Sequence, residues 1–577
     1  MLRIIVIILL GISMAGYVSW FIYKRNLNLW LAPAAVITGI CFFMYLSGLI
    51  NVMALTAYLI LGGGIICFLG YFLKVPWIKL LRENWCPFII CIIFSGIFVY
   101  YFRNANYADG DTMTHWGVIV RAMYERDGLP NFQDTAVAYQ SYPPATACWI
   151  YYVLKFTGYG ENYALLAQAL WSFCCGICLF ALNKSRQLAG DILIGVSIVY
   201  YLKNMSDLRV DYLLAVISLA AVAGIACYVS EQNVAGKELL YFVLPFIGIL
   251  PMVKNSGVLF AVFLSFILLW AFPHMGCRRL WTIAYTGLTL GVALSSLYLW
   301  KAHIKMVYAD ANASRHSLSI TYMESVAESR SLEDYAQIIK AFISKWFSFN
   351  GTYEWLMIVL IIMLGITAMA LIPGKRKTAG FITVMSLISY LIYKLGLLGM
   401  YLFNMPGNSY ELEAYVRYQT TFTSAVTVSI FLLYFMLAEE IRQRVWKKTQ
   451  YICSIVSLSL ILLFINYSGA GAHLKHPDYV NGGVHRRLLS MIHNTPEINE
   501  GDKALVYLHY GLAVHFVRFT FHNQECIASD NLVYFKNALM DNSMEFDTII
   551  IFDRDETIQE LLRSYGYDPD LEYINLK

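Results

Sequence analysis

The sequence predicts a polytopic α-helical membrane protein with a small α/β segment at its C-terminus, and three observations carry that prediction. The 577 residues are 59% hydrophobic and 14% charged, whereas a soluble globular protein is about 45–50% apolar and about 25% charged. Apolar runs of about 20 residues, the length needed to cross a bilayer, recur along most of the chain. Lys and Arg gather in short clusters between those runs, so the net charge of +4 is topogenic. Nucleic acid is therefore not an expected partner; membrane lipids are. Most cysteines lie inside apolar runs (Cys67, Cys91, Cys174, Cys175, Cys227). No mixed Cys/His cluster has zinc spacing, so neither a disulfide framework nor a structural metal is expected.

The runs fall near 4–23, 29–50, 52–73, 86–102, 161–182, 188–202, 212–230, 238–253, 257–273, 280–300, 353–373, 379–402, 418–438 and 450–467, about fourteen spans. The first could pass for a signal peptide, but it is long, is followed by Lys24 and Arg25, and leads into more spans. A retained helix is expected. Six basic clusters, from Lys24/Arg25 to Arg442/Lys447, share one side if 144–158 does not cross. That side is read as cytoplasmic. The chain then divides into N-terminal spans (1–102), a first large external loop (103–160), a transmembrane bundle (161–467) with an external loop 301–352, and an external α/β domain (468–577).

The stretch 144–158 is too short to span and follows Pro143-Pro144. A Pro pair starts a helix but cannot sit inside one, so an interfacial helix on the outer leaflet is expected. Trp116, Ile119, Val120 and Met123 recur at helical spacing and predict a second, amphipathic helix over 115–126. In 331–349, Tyr335, Ile338, Ile339, Phe342, Ile343, Trp346 and Phe347 share one helical face; the helix anchors to the outer surface or covers a lipid entrance. In the tail, "KALVYLHY" and "FDTIIIFD" read as strands and "ETIQELLRSYG" as a helix. No Gly-rich phosphate loop accompanies them.

The chemistry concentrates in "NYADGDTMTHW". Asp109 and Asp111 lie one glycine apart where the fourth span ends. A solvated Asp-Gly turn accounts for them, but so does a site. Carboxylates beside amphipathic helices can serve a lipid-borne substrate that meets water-soluble chemistry. One acts as general base on a hydroxyl and the other tunes it.

The stretch "DGDTMTHW", followed by "SYPP" at Ser141 to Pro144, resembles the first external loop of GT-C glycosyltransferases, above all the dolichyl-phosphate-glucose glucosyltransferases. Those carry Asp-x-Glu-x-x-x-His-Trp and then Tyr-Pro-Pro. Asp109, His115, Trp116 and Tyr142-Pro143-Pro144 match; Asp111 stands where Glu is usual, one methylene shorter. The likeness spans roughly 36 residues and implies a GT-C-like fold and an EC 2.4-class hexosyltransferase. Such an enzyme moves sugar from a polyprenyl-phosphate donor to a glycan, lipid or protein acceptor on the external face. It implies Asp109 as base, Asp111 as its helper, and His115 near the donor phosphate or acceptor, with Trp116 and Tyr142 in the same substrate site. Two acids have room for a divalent metal, but the resembled reaction runs without one, so no cofactor is expected.

Such a reaction needs cations for the phosphate. Lys203 and Arg209 in "LKNMSDLRVDY", Lys254 in "PMVKNSG" and Arg417 in "YELEAYVRYQTT" all lie at external span ends. Snorkelling to the interface explains any one of them; together they suggest an anion site. Arg417 is the preferred contact, because a guanidinium matches phosphate oxygens with a planar fork. The composition, rich in Ile, Lys and Tyr, points to a bacterial plasma membrane. Alternatives are a transporter or flippase of lipid-linked glycans, a glycan polymerase or ligase, and a non-catalytic assembly protein. A transporter predicts mid-span charge, of which Lys394 is the main example.

Overall fold

The computed structural model describes residues 2–108, 110–134, 136–137, 139–183, 188–200, 207–230, 235–308, 320–348, 354–371, 376–405, 409–437, 490, 503–509, 517, 519–520, 526–540 and 546–576. Helices α1 (Leu2–Arg25), α2 (Ala32–Leu49), α3 (Met53–Tyr71), α4 (Trp77–Glu83) and α5 (Trp85–Phe102) precede the first long loop. That loop holds α6 (Val118–Arg126) and α7 (Ala145–Thr157). Then come α8 (Glu161–Ile177), α9 (Leu188–Tyr200), α10 (Asp211–Ser230), α11 (Gly236–Val253), α12 (Gly257–His274) and α13 (Arg279–Val307). The second half adds α14 (Ile320–Glu328), α15 (Leu332–Phe347), α16 (Glu354–Leu371), α17 (Arg376–Phe403) and α18 (Tyr415–Leu437).

Ten of the described helices are long and apolar enough to cross a membrane: α1, α2, α3, α5, α8, α10 to α13 and α17. The protein is thus a polytopic helical membrane protein. The expectation of about fourteen spans is met only in part. The run 188–202 holds α9 over its described residues. The runs 353–373 and 418–438 become α16 and α18, helices of 18 and 23 residues, and 450–467 lies outside the described residues.

Burial separates two kinds of helix. α10 is buried along almost its whole length and packs against α8, α11, α12 and α18. α1, α3, α5 and α13 instead present rows of exposed Ile and Leu on one side, as lipid-facing helices do. α1 and α3 approach backbone to backbone: a Cβ on Gly16 would lie 1.9 Å from the Gly64 carbonyl oxygen. Small residues at such crossings substitute packing for the hydrophobic drive that lipid cannot supply.

α7 departs from expectation. It does start after Pro144 and is too short to span, but ten of its residues, from Ala145 to Thr157, are buried. It packs between α2, α6 and α8. Its aromatic residues face protein: Trp149 Nε1 donates to the Ala167 carbonyl at 2.7 Å. α15 follows expectation more closely. A reciprocal Ser331/Asp334 cap starts it; Ile338 and Phe342 are buried, while Ile339, Ile343 and Phe347 are exposed.

The C-terminal part forms a four-stranded sheet in the order β2-β1-β3-β4, from β1 (Ala504–Tyr507), β2 (Ile527–Ser529), β3 (Thr548–Ile551) and β4 (Tyr573–Asn575), with α19 (Leu532–Met540) and α20 (Glu556–Ser564). The first three strands are parallel and β4 is antiparallel. Both expected strands and the expected helix are present. Leu505, Tyr507, Ile549 and Ile551 face α19 and α20. The alternate residues Ala504, Val506, Ile550 and Phe552 join the main core. Phe519 continues that contact: its ring meets Tyr107 edge-on at 5.4 Å, and its carbonyl accepts from Arg121 at 3.2 Å.

Candidate functional site: a charged cluster where helix ends meet

Asp111 sits where the first loop turns into helix. The six residues Thr112–Gly117 form a π-helical turn leading directly into α6. Such turns widen the helix locally and are frequent at functional sites. The turn is fixed at both ends. Thr112 Oγ1 accepts from the Leu208 backbone N–H at 3.2 Å, tying it to the segment before α10. Gly117 packs so closely on Tyr107 that a Cβ would meet the ring at 2.6 Å.

Three further elements bring charge to Asp111. Arg417, in the first turn of α18, places Nη1 at 2.9 Å from Asp111 Oδ2 and Nε at 3.5 Å from Asp211 Oδ2. Asp211 is the first residue of α10, and its Oδ1 lies 2.6 Å from Lys254 Nζ. Lys254 caps the end of α11. The next helix begins at Gly257, where a Cβ would stand 2.0 Å from the Leu250 carbonyl oxygen. Only glycine lets α11 and α12 turn that tightly. The Tyr418 ring lies 4.3 Å from Lys254 Nζ and 5.3 Å from Arg417 Cζ. The result is a chain of alternating charge, Asp111–Arg417–Asp211–Lys254, laid over one aromatic face.

His115 flanks the chain. Its ring stacks on Tyr139 with centroids 3.9 Å apart, and Tyr142 lies 5.2 Å from His115 and 5.3 Å from Trp116. His115 Nδ1 is 3.1 Å from the Asp111 carbonyl oxygen and 2.6 Å from Thr114 Oγ1, which itself donates to Gly110 O. A carbonyl can only accept, so Nδ1 carries a proton. The Tyr-Pro-Pro segment is held by Trp300 Nε1, which donates to the Ser141 carbonyl at 3.1 Å.

The electrostatics favour an ionised Asp111. Burial pushes its carboxyl up, but the Arg417 hydrogen bond and the charges of His115, Arg417 and Arg209 outweigh that, leaving it below the usual carboxylate range. Tyr142 is pushed the other way by burial and by neighbouring Tyr418, Tyr139 and Asp111. Its hydroxyl keeps its proton.

Of the residues expected from sequence, the structure gathers Asp111, His115, Trp116, Tyr142, Lys254 and Arg417. Arg209 lies at the same end of the bundle, with its guanidinium gripping Asp207, at 2.9 Å through Nε. Asp109 and Lys203 lie outside the described residues. Sequence reasoning passed over the role of Asp211, which bridges the two cations, and the ring of Tyr418. An acid as the first residue of a helix was the available signal, and it reads equally well as dipole complementarity. Among the described residues no group of three or more His, Cys, Asp or Glu is placed to hold a metal ion.

A second charged group lies within the helices. Lys394 of α17 pairs with Glu354 of α16 at 2.6 Å, both side chains wholly shielded from solvent. The sequence showed the lysine alone. Comparison of the chain with protein-family models, with curated proteins and with solved structures gives no match.

Proposed function

We propose that this chain is an integral membrane glycosyltransferase that moves a sugar from a polyprenyl-phosphate donor to an acceptor on the external face. The observation that carries the reading is Arg417. It is held between Asp111 and Asp211 beside Lys254, and its Nε is buried with no hydrogen-bond acceptor. That Nε lies 3.5 Å from Asp211 Oδ2, too long for a well-formed hydrogen bond, while 37% of the Arg417 side-chain surface stays exposed, so a phosphate oxygen can reach the guanidinium as a charge-assisted partner.

In this reading Asp109 takes the proton of an acceptor hydroxyl while that oxygen attacks the anomeric carbon. The carbon–oxygen bond to phosphate breaks, and the polyprenyl phosphate leaves with the electron pair. Arg417 and Lys254 meet the charge that develops there. Asp111 gives up its contact with Arg417 to the phosphate and is then available beside Asp109. His115 Nε2 and the Tyr139–Tyr142 stack line the approach of the sugar or acceptor. The external placement of the C-terminal domain and a bacterial plasma membrane belong to the same reading.

Proteoliposomes supplied with radiolabelled polyprenyl-phosphate hexoses and pentoses and with envelope acceptors test it. Transfer by wild type, lost in a monodisperse Asp109→Asn or Arg417→Gln variant, supports the assignment. Transfer unaffected by both moves the site elsewhere. A transporter of lipid-linked glycans is the second reading, favoured by the Glu354–Lys394 pair, since ionisable residues inside a membrane commonly mark a substrate path. Silence with every donor from folded protein would favour it.

A further inference from the structure

The buried pair reaches the candidate site through α18. Lys394 Nζ has three partners: Glu354 Oε1 at 2.6 Å, Tyr415 Oη at 2.6 Å and Gln419 Oε1 at 2.9 Å. An ammonium has three donors, so its capacity is used in full. Two of the three partners belong to α18. Tyr415 and Gln419 are four residues apart and share one helix face, while Arg417 lies between them, about 200° around the axis from either. The first turn of α18 is therefore gripped on one side by Lys394 and on the other by Asp111 and Asp211. The two grips fix its rotation.

That turn needs an external grip. Just before it, Leu412 and Ala414 hold φ values of 52° and 57°, the left-handed region that non-glycine residues seldom occupy. Local preference does not set the start of α18. Tertiary contacts do: Tyr401 Oη donates to the Glu413 carbonyl at 2.6 Å, and Lys394 holds the next turn.

The pair is also built as a fixture. Tyr390 Oη donates to Glu354 Oε1 and accepts from Trp346 Nε1. Phe342 and Trp346 of α15 roof the ammonium at 5.6 Å, with Tyr415 at 4.5 Å. Replacing a buried ion pair by apolar residues of similar volume often costs little stability, so stability alone does not account for the charges.

We infer that the Glu354–Lys394 pair is a positioning device that sets the direction of Arg417 through Tyr415 and Gln419. The geometry carries this by itself; its consequence for ligand binding rests on the proposed function. Two arms separate the two claims. In the first, no ligand is used. Purified protein is treated with an arginine-selective dicarbonyl, and modification of Arg417 is followed by peptide mass spectrometry. Wild type is protected by the two carboxylates. Tyr415→Phe/Gln419→Leu, which leaves the ion pair intact, and Glu354→Gln/Lys394→Met, which removes it, both become severalfold more reactive while staying monodisperse. Reactivity equal to wild type in the first variant overturns the inference, whether or not the second variant folds.

In the second arm, binding of a polyprenyl monophosphate is measured in a cycle with Arg417→Gln. Arg417→Gln weakens binding about tenfold or more in wild type, as expected for one charge-assisted contact. In the Tyr415→Phe/Gln419→Leu background it costs nothing further. Additive losses overturn the inference. No binding by wild type sinks the proposed function and leaves the first arm to decide the positioning role.

Discussion

The two charged groups of this protein use the same chemistry in opposite surroundings. Around Arg417 the side chains are partly open: Asp111 and Arg417 keep 42% and 37% of their side-chain surface. Around Lys394 there is no opening, and each ammonium donor has a partner. The difference follows from where each lies on its helix. Arg417, Asp211 and Lys254 are at helix ends, where water reaches them and partners can exchange. Lys394 is in the interior of α17, where an unpaired charge would be prohibitive. An exchangeable cluster suits a ligand that must come and go. A closed one suits a part that must not move.

The largest expected effect falls on the open cluster. In the proposed reaction, Arg417→Gln is expected to lower sugar transfer by about 10²–10³-fold, the usual cost of removing one donor aimed at developing charge, with a modest fall in thermal midpoint from the lost Asp111 and Asp211 contacts; kinetics beside size-exclusion melting check both halves. The closed cluster shows the reverse. Lys394→Met leaves a buried carboxylate unpaired and costs about 3–5 kcal/mol, whereas Glu354→Gln/Lys394→Met together cost much less. Thermal denaturation of the purified variants reads that contrast, and equal losses would erase the distinction drawn here.

Gly257→Ala is expected to destabilise by about 1–3 kcal/mol, because its Cβ would collide with the Leu250 carbonyl oxygen. The shift should displace Lys254 and weaken phosphate binding, which a melt and a binding isotherm would show together. The smallest effect concerns pH. Asp111 is held below the usual carboxylate range in the folded protein. Its contribution is complete above the unfolded value of about 3.9 and is lost as pH falls through the lower folded value. Below about pH 4, wild type should therefore lose midpoint faster than Asp111→Asn. Parallel acid titrations would sink the assignment of that pair.

Much of this architecture could be read locally. Pro143-Pro144 starts α7 and Ser331 caps α15, because a missing N–H and a side-chain oxygen act on the next few residues wherever they occur. The spans α1, α2, α3, α5, α8 and α10 to α13 follow from apolar length. What misled was burial. α7 is too short to span, which predicts a helix at the interface, yet α2 and α8 close over it, and length cannot tell an interfacial helix from a buried one.

The candidate site divides in the same way. The sequence by itself determined that a carboxylate-rich turn with His115 and Trp116 follows a span, and that several cations stand at span ends. Only the tertiary structure decided that Asp111 meets Arg417 across 306 residues, that Asp211 joins Arg417 to Lys254, and that Lys394 has Glu354. The physical reason is that span length, caps and turns are set by neighbours along the chain. The partner of a charge is set by whichever helix end packing brings within a few ångströms, and that choice is made by the whole bundle at once.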